Sequence, residues 1–270
     1  MSEVSIHGRR LLLTTRGLKV DNRYIGSAFD AIGNTYYVDS ATGASGSDGK
    51  TPESAVLTVT QGIALCTANQ GDRVIVMPNH AETITGVGGL TVNKAGITIV
   101  GAGSYNNRPR LLMDGATTVT VAVTAADVTI RNIVFASGHL LIATGIDVTA
   151  VGCTIDQCEF ADNTTAENWG VPVKATGAAN TADGLKITNC RWVPLVATVN
   201  SLDFLDITDD IRDLVVEDNF IVHEGTNSAL VLQAGTKVMH CASIQRNFIS
   251  TKMTAADLLI DNGGATNSGI

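Results

Sequence analysis

Carboxylates are the side chains best suited to chemistry in this 270-residue sequence, and they are densest between positions 203 and 210. The aspartates of this segment are Asp203, Asp206, Asp209 and Asp210. Together with the nearby Glu217 and Asp218, they could supply an acid and a base for glycoside hydrolysis, which needs two carboxyl groups about 5 to 9.5 Å apart. A solvated acidic turn is the simpler interpretation, because charge runs usually lie in solvent.

Other residues capable of catalysis or ligand binding lack the spacing that such chemistry needs. The segment from Asp39 to Asp48 lacks the alternating oxygen ligands of a calcium-binding EF-hand loop. No Ser or Cys lies in a nucleophile motif, and the glycines at 86–89 and 101–103 precede no helix that would complete a phosphate-binding loop. We therefore assign no catalytic, cofactor-binding or metal-binding residue from the sequence.

The cysteines are odd in number and show neither a Cys-x-x-Cys motif nor a Cys/His cluster at zinc spacing. They are Cys66, Cys153, Cys158, Cys190 and Cys241. Because free cysteine is among the most buried residue types, we predict that they are reduced core residues.

Charge is divided unevenly along the chain. The net charge is −8, but residues 1–23 carry +3 and the remaining body carries −11. An acidic body argues against binding along a nucleic-acid backbone, which requires a basic surface. No secretory signal and no apolar segment of about 20 residues is present, so we expect cytoplasmic synthesis and no membrane partner.

The elements that must position these residues are short repeated strands. The repeated pattern is apolar-x-Ile-x-x-(Ile/Cys/Asn)-x-(aromatic/Ile), and its anchors at 99, 130, 155, 187, 216 and 244 are 31, 25, 32, 29 and 28 residues apart. Apolar residues alternate with period two within each copy, which predicts a strand buried on one face. Such a unit cannot bury that face alone, so neighbouring copies must stack into a parallel β-solenoid. The alternative is a β-sandwich whose strands happen to repeat.

Stacking predicts columns of residues that lie about one repeat apart. The anchor column contains Ile130, Ile155, Ile187, Val216 and Ile244. The two inner columns that follow it are Ile133, Cys158, Cys190, Asn219 and Asn247, and Phe135, Phe160, Trp192, Ile221 and Ile249. Asn219 and Asn247 are expected to hydrogen-bond through their amides, and Cys158 and Cys190 to be neighbours with reduced thiols.

Two outer columns bear on function. One contains Arg131, Asp156, Thr188, Glu217 and Gln245, and the other contains Val134, Glu159, Arg191, Phe220 and Phe248. The first never stacks two acids on adjacent turns, which makes it a poor glycosidase site. In the second, Glu159 can pair with Arg191. We predict that Phe220 and Phe248 form an exposed couple and a subunit interface, because apolar patches in water usually mark one. The alternative is that both rings tuck under long loops.

A capping helix is predicted ahead of the repeats, at about 52–68. Thr51 suits the N-cap position, Pro52 the first helical position and Glu53 the first turn. One face is apolar and contains Val56, Val59, Ile63 and Cys66. This helix would cover the open end of the solenoid, where the first strand would otherwise present unpaired backbone groups. The last predicted strand, 258–260, has no evident cap, so another subunit or residues beyond 270 would cover it.

Three segments, 34–43, 47–55 and 70–78, resemble the opening of right-handed parallel β-helix proteins of the pectin-lyase-like superfamily. The resemblance covers about residues 34–260 and implies a fold rather than a reaction. Members that cleave polysaccharide use clustered aspartates, or calcium with a basic residue, on an outer strand face. The predicted fold is all-β: a right-handed parallel β-helix over 34–270 with an N-terminal capping α-helix, preceded by an extended N-terminal arm over 1–33.

The arm combines basic and apolar residues and has no evident place in the solenoid core. We predict that it docks the chain to a partner of complementary charge. The residues predicted to make this contact are Arg9, Arg10, Leu11, Leu12, Leu13 and Arg16.

A β-helix with a docking arm and no catalytic cluster resembles bacteriophage virion proteins, in which trimeric β-helices recur as tail spikes, fibres and capsid decorations. The resemblance implies a non-catalytic capsid decoration or head-fibre protein on the virion surface, forming a homotrimer that contacts capsid or other virion proteins. One alternative is a tail spike or fibre that binds or cleaves bacterial surface polysaccharide. Another is an adhesin that binds a glycan through Asp162–Gly170, with Trp169 stacking on a sugar. No cofactor is expected.

Overall fold

The computed structural model describes residues 33–195, 203–222 and 237–250 in full. It also describes the backbone of strands at 3–6, 9–14, 17–20, 23–25, 223, 231–233, 251 and 260–261. Across these residues short strands dominate, and the α-helical content is a single helix of seven residues.

Most strands belong to three parallel sheets, here called I, II and III. Sheet I contains β5 (Thr35–Val38), β6 (Arg73–Val76), β9 (Thr98–Gly101), β12 (Thr129–Arg131), β15 (Thr154–Asp156), β18 (Lys186–Thr188), β22 (Val215–Glu217) and β26 (Ser243–Gln245). Sheet II contains β7 (Ala81–Thr85), β10 (Arg110–Asp114), β13 (Val134–Ser137), β16 (Glu159–Asp162), β19 (Arg191–Val193), β23 (Phe220–His223) and β27 (Phe248–Thr251). Sheet III contains β8 (Leu90–Val92), β11 (Val121–Val123), β14 (Ile146–Val148), β17 (Val173–Ala175), β20 (Leu205–Ile207), β24 (Val231–Gln233) and β28 (Ile260–Asp261). A separate pair joins β21 (Ile211–Arg212) to β25 (Met239–His240).

From β6 onward the chain visits sheets I, II and III in the same order on each turn, and neighbouring strands in a sheet come from successive turns. Every pairing in these three sheets is parallel, whereas a β-sandwich is built from antiparallel sheets. The predicted fold class, an all-β right-handed parallel β-helix, is therefore confirmed.

The predicted columns are also confirmed. Ile130 pairs with Ile155 and Ile155 with Ile187, and the same register continues to Val216 and Ile244. The aromatic column pairs in the expected order, Phe135, Phe160, Trp192, Ile221 and Ile249. The rings of Phe135 and Phe160 stack with centroids 5.7 Å apart. Each large apolar side chain buried in this core contributes roughly 1.5–3 kcal/mol of hydrophobic stabilisation.

Tight two-residue turns join sheet I to sheet II from β12 onward. The first residue of each turn has a left-handed φ between 54° and 57°, and these residues are Asn132, Gln157, Asn189, Asp218 and Arg246. Asn and Asp tolerate this conformation, while Gln157 and Arg246 adopt it because the stacked strands impose it. The second residues form the inner column that ends in Asn219 and Asn247. As predicted, Asn219 Nδ2 donates to Asn247 Oδ1 at 2.9 Å.

The capping helix is shorter than the predicted range of 52–68. Thr51 caps a 3-10 turn, Pro52–Ser54, and α1 begins only at Val59 and ends at Leu65. The two are separated because Val56 pairs with Val38 as an isolated parallel bridge, which requires extended backbone. The apolar face is nevertheless buried as expected, over Val56, Val59, Ile63 and Cys66. Glu82 accepts a hydrogen bond from the Val59 amide at 2.9 Å and so fixes the start of α1 against sheet II.

Within residues 3–25 the backbone forms four antiparallel strands rather than one extended segment. They are β1 (Glu3–Ile6), β2 (Arg9–Thr14), β3 (Gly17–Val20) and β4 (Arg23–Ile25). The register places Val4, Leu11 and Val20 in one row across this sheet. It places Leu13, Leu18 and Ile25 in another row. Because alternate residues of a strand occupy opposite faces, both rows lie on the same face.

Four of the five cysteines are buried, as predicted, and all five are free thiols. Burial raises the pKa of the Cys66 thiol to about 12 and that of Cys190 well above its ordinary value, so both stay protonated and unreactive. The prediction is wrong for Cys241, which is exposed. Its φ of 54° places it in a left-handed turn just ahead of β26, where the chain changes direction at the surface.

Candidate functional site

The outer column of sheet I consists of residues that pair with one another across turns. Arg131 Nε lies 3.2 Å from Asp156 Oδ2, and Thr188 Oγ1 donates to Asp156 Oδ1 at 2.8 Å. Further along, Gln245 Nε2 donates to Glu217 Oε1 at 2.8 Å. The predicted order is confirmed, and it keeps the two acids on non-adjacent turns. This face therefore lacks the carboxylate pair that glycoside hydrolysis requires.

Glu217 is ionised at neutral pH. Hydrogen bonds from the Ser243 hydroxyl and the Gln245 amide, together with the Arg246 guanidinium, lower its pKa to about 2. Arg246 also binds Asp218, with Nε 2.8 Å from Oδ1, and lowers the pKa of that carboxyl. Such carboxylates cannot deliver a proton near neutral pH, which is the task of a general acid.

The acidic segment does not form the predicted solvated turn. Asp203 is buried, and the segment contains strand β20 of sheet III. Asp206 pairs with Lys174 at 2.8 Å, and Asp209 pairs with Lys237 at 2.9 Å. The first pair forms because the register brings Lys174 opposite Asp206 on the preceding turn.

The two terminal aspartates of the segment from Asp39 to Asp48 accept hydrogen bonds from nearby residues of the chain. Asp39 accepts hydrogen bonds from the Ala41 amide and the Thr42 hydroxyl at 2.8 and 2.7 Å. Asp48 accepts one from the Ser54 hydroxyl at 2.7 Å, which lowers the pKa of Asp48. Within the described part of the chain, no group of three or more His, Cys, Asp and Glu residues could hold a metal ion.

The outer column of sheet II changes character along its length. Glu159 Oε1 lies 3.0 Å from Arg191 Nη1, and the Arg191 guanidinium lies 5.8 Å from the centre of the Phe220 ring. Phe220 and Phe248 stack nearly parallel, at 7°, with centroids 4.6 Å apart. Their exposed fractions are 41% and 55%, so the loops among the described residues do not cover the rings. The predicted ion pair and the predicted exposed couple are both present.

One connection between sheets I and II is longer than those that follow it. It joins β9 to β10 and contains residues 102–109, whereas each later connection between these sheets has two residues. This connection contains a 3-10 turn, Tyr105–Asn107, and the Tyr105 side chain is 90% exposed. Asn132 Nδ2 donates to the carbonyl oxygens of Gly101 and Gly103 at 2.7 and 3.0 Å and so ties the connection to the next turn.

This connection forms one wall of an open groove of about 910 Å³, here called the corner groove. Its lining includes Tyr105, Arg108, Gln157, Glu159, Asn189 and Arg191. Arg108 spans the groove floor: its guanidinium contacts the Glu159 carboxylate and donates to the Gln157 carbonyl oxygen at 3.4 Å. The groove thus combines polar and apolar surface, contains a carboxylate contacted by an arginine, and has one exposed aromatic ring in its lining.

Trp169 was a candidate for stacking on a sugar, and this prediction is wrong. Its side chain is completely buried, and its Nε1 donates to the Ala161 carbonyl oxygen at 3.1 Å. The ring also packs edge-on against Phe160, with centroids 5.8 Å apart, so Trp169 is part of the core.

Asp162, at the start of the same segment, is only 6% exposed and accepts a hydrogen bond from the Leu195 amide at 2.9 Å. Burial raises the pKa of Asp162 to about 6.

The predicted docking residues fall in the small N-terminal sheet. Arg9, Arg10 and Leu11–Leu13 occupy β2, while Arg16 lies outside the described residues. The register puts Arg9, Leu11 and Leu13 on one face of the sheet and Arg10 and Leu12 on the other.

Sequence reasoning missed the corner groove. Its wall comes from one long connection, and the glycines at 101–103 were considered only as a phosphate-binding loop. The available signal was the Tyr-Asn-Asn-Arg-Pro run between Ile99 and Leu111, where the other repeats have a two-residue turn. The floor residues are turn and strand positions whose proximity depends on the register between turns.

Comparison of the sequence with protein-family models and with curated proteins finds no match. Among solved structures the chain is similar to a rhamnogalacturonan lyase, with 16% identity over 87% of this chain and a TM-score of 0.46. It covers 66% of that protein, just under two thirds of its length. It is also similar to the pectate lyase Pel9A, with 16% identity over 87% of this chain and 81% of that one and a TM-score of 0.44. Neither likeness extends to function, and the fold assignment rests on the strand pairing of the chain itself.

Of the helices in the described residues, none is both long and apolar enough to cross a membrane.

Proposed function

We propose that this chain is a bacteriophage virion structural protein on the particle surface, a capsid decoration or head-fibre protein that has no catalytic role. In this proposal the chain docks to capsid or other virion proteins through its N-terminal arm and associates as a homotrimer through Phe220 and Phe248. The proposal depends mainly on the stacked, exposed Phe220–Phe248 couple.

The Phe couple supports self-association because it departs from the rest of its column. Earlier positions of the column, Glu159 and Arg191, satisfy each other by an ion pair, whereas two phenyl rings in water have no polar compensation. Burying one such side chain contributes roughly 1.5–3 kcal/mol, so a few copies meeting at this face would gain substantially. Arg191, which lies over the Phe220 ring, supplies a charged border of the kind found at interface rims.

The N-terminal sheet supports docking because its register gathers apolar residues on one face, together with two arginines. The residues of this face are Val4, Ile6, Arg9, Leu11, Leu13, Leu18, Val20, Arg23 and Ile25. The opposite face contains Glu3, Ser5, Arg10, Leu12, Lys19 and Tyr24. The +3 charge of residues 1–23 contrasts with the −11 of the body, so a partner that attracts the arm would repel the solenoid.

Self-association is tested by the native mass of the full chain carrying Phe220→Ser and Phe248→Ser. We expect the unaltered chain to be trimeric and the double variant to be monomeric with unchanged far-UV circular dichroism. Val87→Ala, which removes a 78% exposed apolar side chain elsewhere, is the matched control and should remain trimeric. A monomeric mass for the unaltered chain at high micromolar concentration would rule out the trimer.

Docking is tested in virus particles purified from cells that produce the chain. Leu11→Asp and Leu13→Asp place charge on the apolar face of the N-terminal sheet and should abolish incorporation into purified particles. Val87→Asp, which places the same charge on a 78% exposed position of the solenoid, is the matched control and should be incorporated. Absence of the unaltered chain from those particles would contradict a virion role altogether.

The second candidate is a tail spike or fibre β-helix that binds or cleaves bacterial surface polysaccharide. The aspartates first put forward for cleavage do not support it, since Asp203 is buried and Asp206 and Asp209 are paired with lysines. The binding half of this candidate is favoured instead by the corner groove, an open groove with polar and charged side chains and an exposed aromatic ring.

A further inference from the structure

We propose that the corner groove is an oligosaccharide-binding site, with Tyr105 as a stacking platform and the floor residues Gln157, Asn189 and Arg191 as hydrogen-bonding partners. This inference rests on the binding half of the second candidate function. The groove lies within one chain and includes neither Phe220 nor Phe248, although Arg191 borders both the groove and the Phe220 ring.

The groove has the size of a ligand site. Its volume of about 910 Å³ lies within the roughly 300–1,000 Å³ typical of small-molecule sites. Its floor residues Gln157, Glu159, Asn189 and Arg191 come from two successive turns, which stack at the strand spacing of about 4.8 Å. Two rows of polar groups at this interval suit the hydroxyls of neighbouring sugar residues.

The floor offers both donors and acceptors, as hydroxyl groups require. Gln157 Oε1 accepts from Arg131 Nε at 3.1 Å, which directs the two N–H donors of the same amide elsewhere. Asn189 is oriented the other way, since its Nδ2 donates to Asp156 Oδ1 at 2.9 Å and its carbonyl oxygen remains an acceptor. Arg191 uses one nitrogen for Glu159 and keeps further donors.

The wall is held in place before any ligand binds. Asn132 ties the connection to the next turn through two carbonyl oxygens, and the Asn79 amide donates to the Asn107 carbonyl oxygen at 2.8 Å. Tyr105 has a left-handed φ of 50° at the start of the 3-10 turn, a conformation uncommon for an aromatic residue. A fixed wall lowers the ordering cost of binding, and the exposed phenol ring provides a flat apolar face for the CH groups of a sugar.

The charges of the groove favour a saccharide over a nucleic acid. Arg108 and Arg191 both contact Glu159, so the groove carries about one net positive charge inside a chain whose net charge is −8. A phosphodiester chain would need several unpaired cations along its path. One excess guanidinium is instead compatible with a single carboxylate on a sugar, so acidic glycans should bind more tightly than neutral ones.

The test is binding of the full chain to a printed array of acidic and neutral oligosaccharides from bacterial surfaces, followed by calorimetric titration of the strongest binder. Tyr105→Ala should weaken binding about tenfold, equivalent to about 1.4 kcal/mol, while Tyr105→Phe, which keeps the ring, should bind within about threefold of the unaltered chain. Gln157→Ala, on the floor, should also weaken binding. Val87→Ala, exposed but remote from the groove, is the control and should bind normally.

Three results would overturn the inference: no oligosaccharide retained on the array, Tyr105→Ala binding as well as the unaltered chain, or a 12-residue oligothymidine binding in place of glycans. The assembly proposal fails separately. A monomeric chain that still binds glycan would refute the trimer and leave the groove intact, whereas a trimer that binds none would do the reverse.

Discussion

The buried column at the turn between sheets I and II has two chemically different halves. Its early positions are Ile133, Cys158 and Cys190, and its late positions are Asn219 and Asn247. In the early half the thiols donate weakly to backbone, as Cys158 Sγ to the Ile130 carbonyl oxygen at 3.7 Å. In the late half Asn219 accepts from the Cys190 amide at 2.8 Å and donates to the Ile187 carbonyl oxygen at 3.0 Å.

The difference shows that one backbone geometry can be stabilised in two ways. Apolar and thiol side chains fill the space inside the turn and gain burial energy. Amides must also have every donor and acceptor satisfied, and they achieve this by linking each turn to the next. We infer that the amide half fixes the register between turns, whereas the thiol half tolerates changes that conserve volume.

Asn219→Ala should give the largest effect and tests this inference directly. The substitution leaves the Cys190 amide and the Ile187 carbonyl oxygen without their partner inside the turn. We expect it to lower the free energy of unfolding by about 2–4 kcal/mol, measured by urea denaturation, because unsatisfied buried polar groups are costly. Cys190→Ala, one turn earlier in the same column, should cost only about 1 kcal/mol.

Equal losses in the two variants would mean that the halves differ in composition but not in function. A larger loss for Cys190→Ala would show that volume, rather than hydrogen bonding, dominates throughout the column.

Asp162 is a buried polar residue of another kind, because it is ionisable and lies outside the column that contains Asn219 and Asn247. Its pKa of about 6 when folded exceeds the ordinary 3.8, so unfolding releases a proton between these values and stability falls as pH rises across that interval. Asp162→Asn removes this dependence and keeps an acceptor for the Leu195 amide. We expect the variant to be about 1–2 kcal/mol more stable than the unaltered chain at pH 8, with the gain vanishing near pH 4.

Urea denaturation at several pH values between 4 and 8 measures this difference. A gain that is the same at every pH would show that Asp162 is not protonated preferentially in the folded state.

The sequence predicts the interior of this molecule better than its functional surface, for a physical reason. The columns through Ile155 and Phe160 follow from period-two alternation and a repeated anchor, because burial restricts both residue type and register. The sequence predicts the position of the capping helix but overestimates its length, because the Val56–Val38 bridge is a tertiary contact with no local signal. The corner groove requires residues about 50 apart, such as Arg108 and Glu159, to meet, and no periodicity reports that contact.

Substitution of Glu217 should have the smallest effect on stability. Glu217 lies on the outer side of the chain, just before the turn that contains Asn219. Its pKa of about 2 lies below the ordinary 4.5, so its stabilising contribution is complete above pH 4.5 and is lost as the pH falls toward 2. Glu217→Gln should therefore lower the urea midpoint slightly at pH 7 and leave it unchanged at pH 2. The effect should be smaller than at Asn219, because exposed ion pairs are screened by water and salt. Titration of the Glu217 carboxyl carbon by NMR gives an independent check, and a midpoint near 4.5 would show that Arg246 and Ser243 do not hold this side chain in solution.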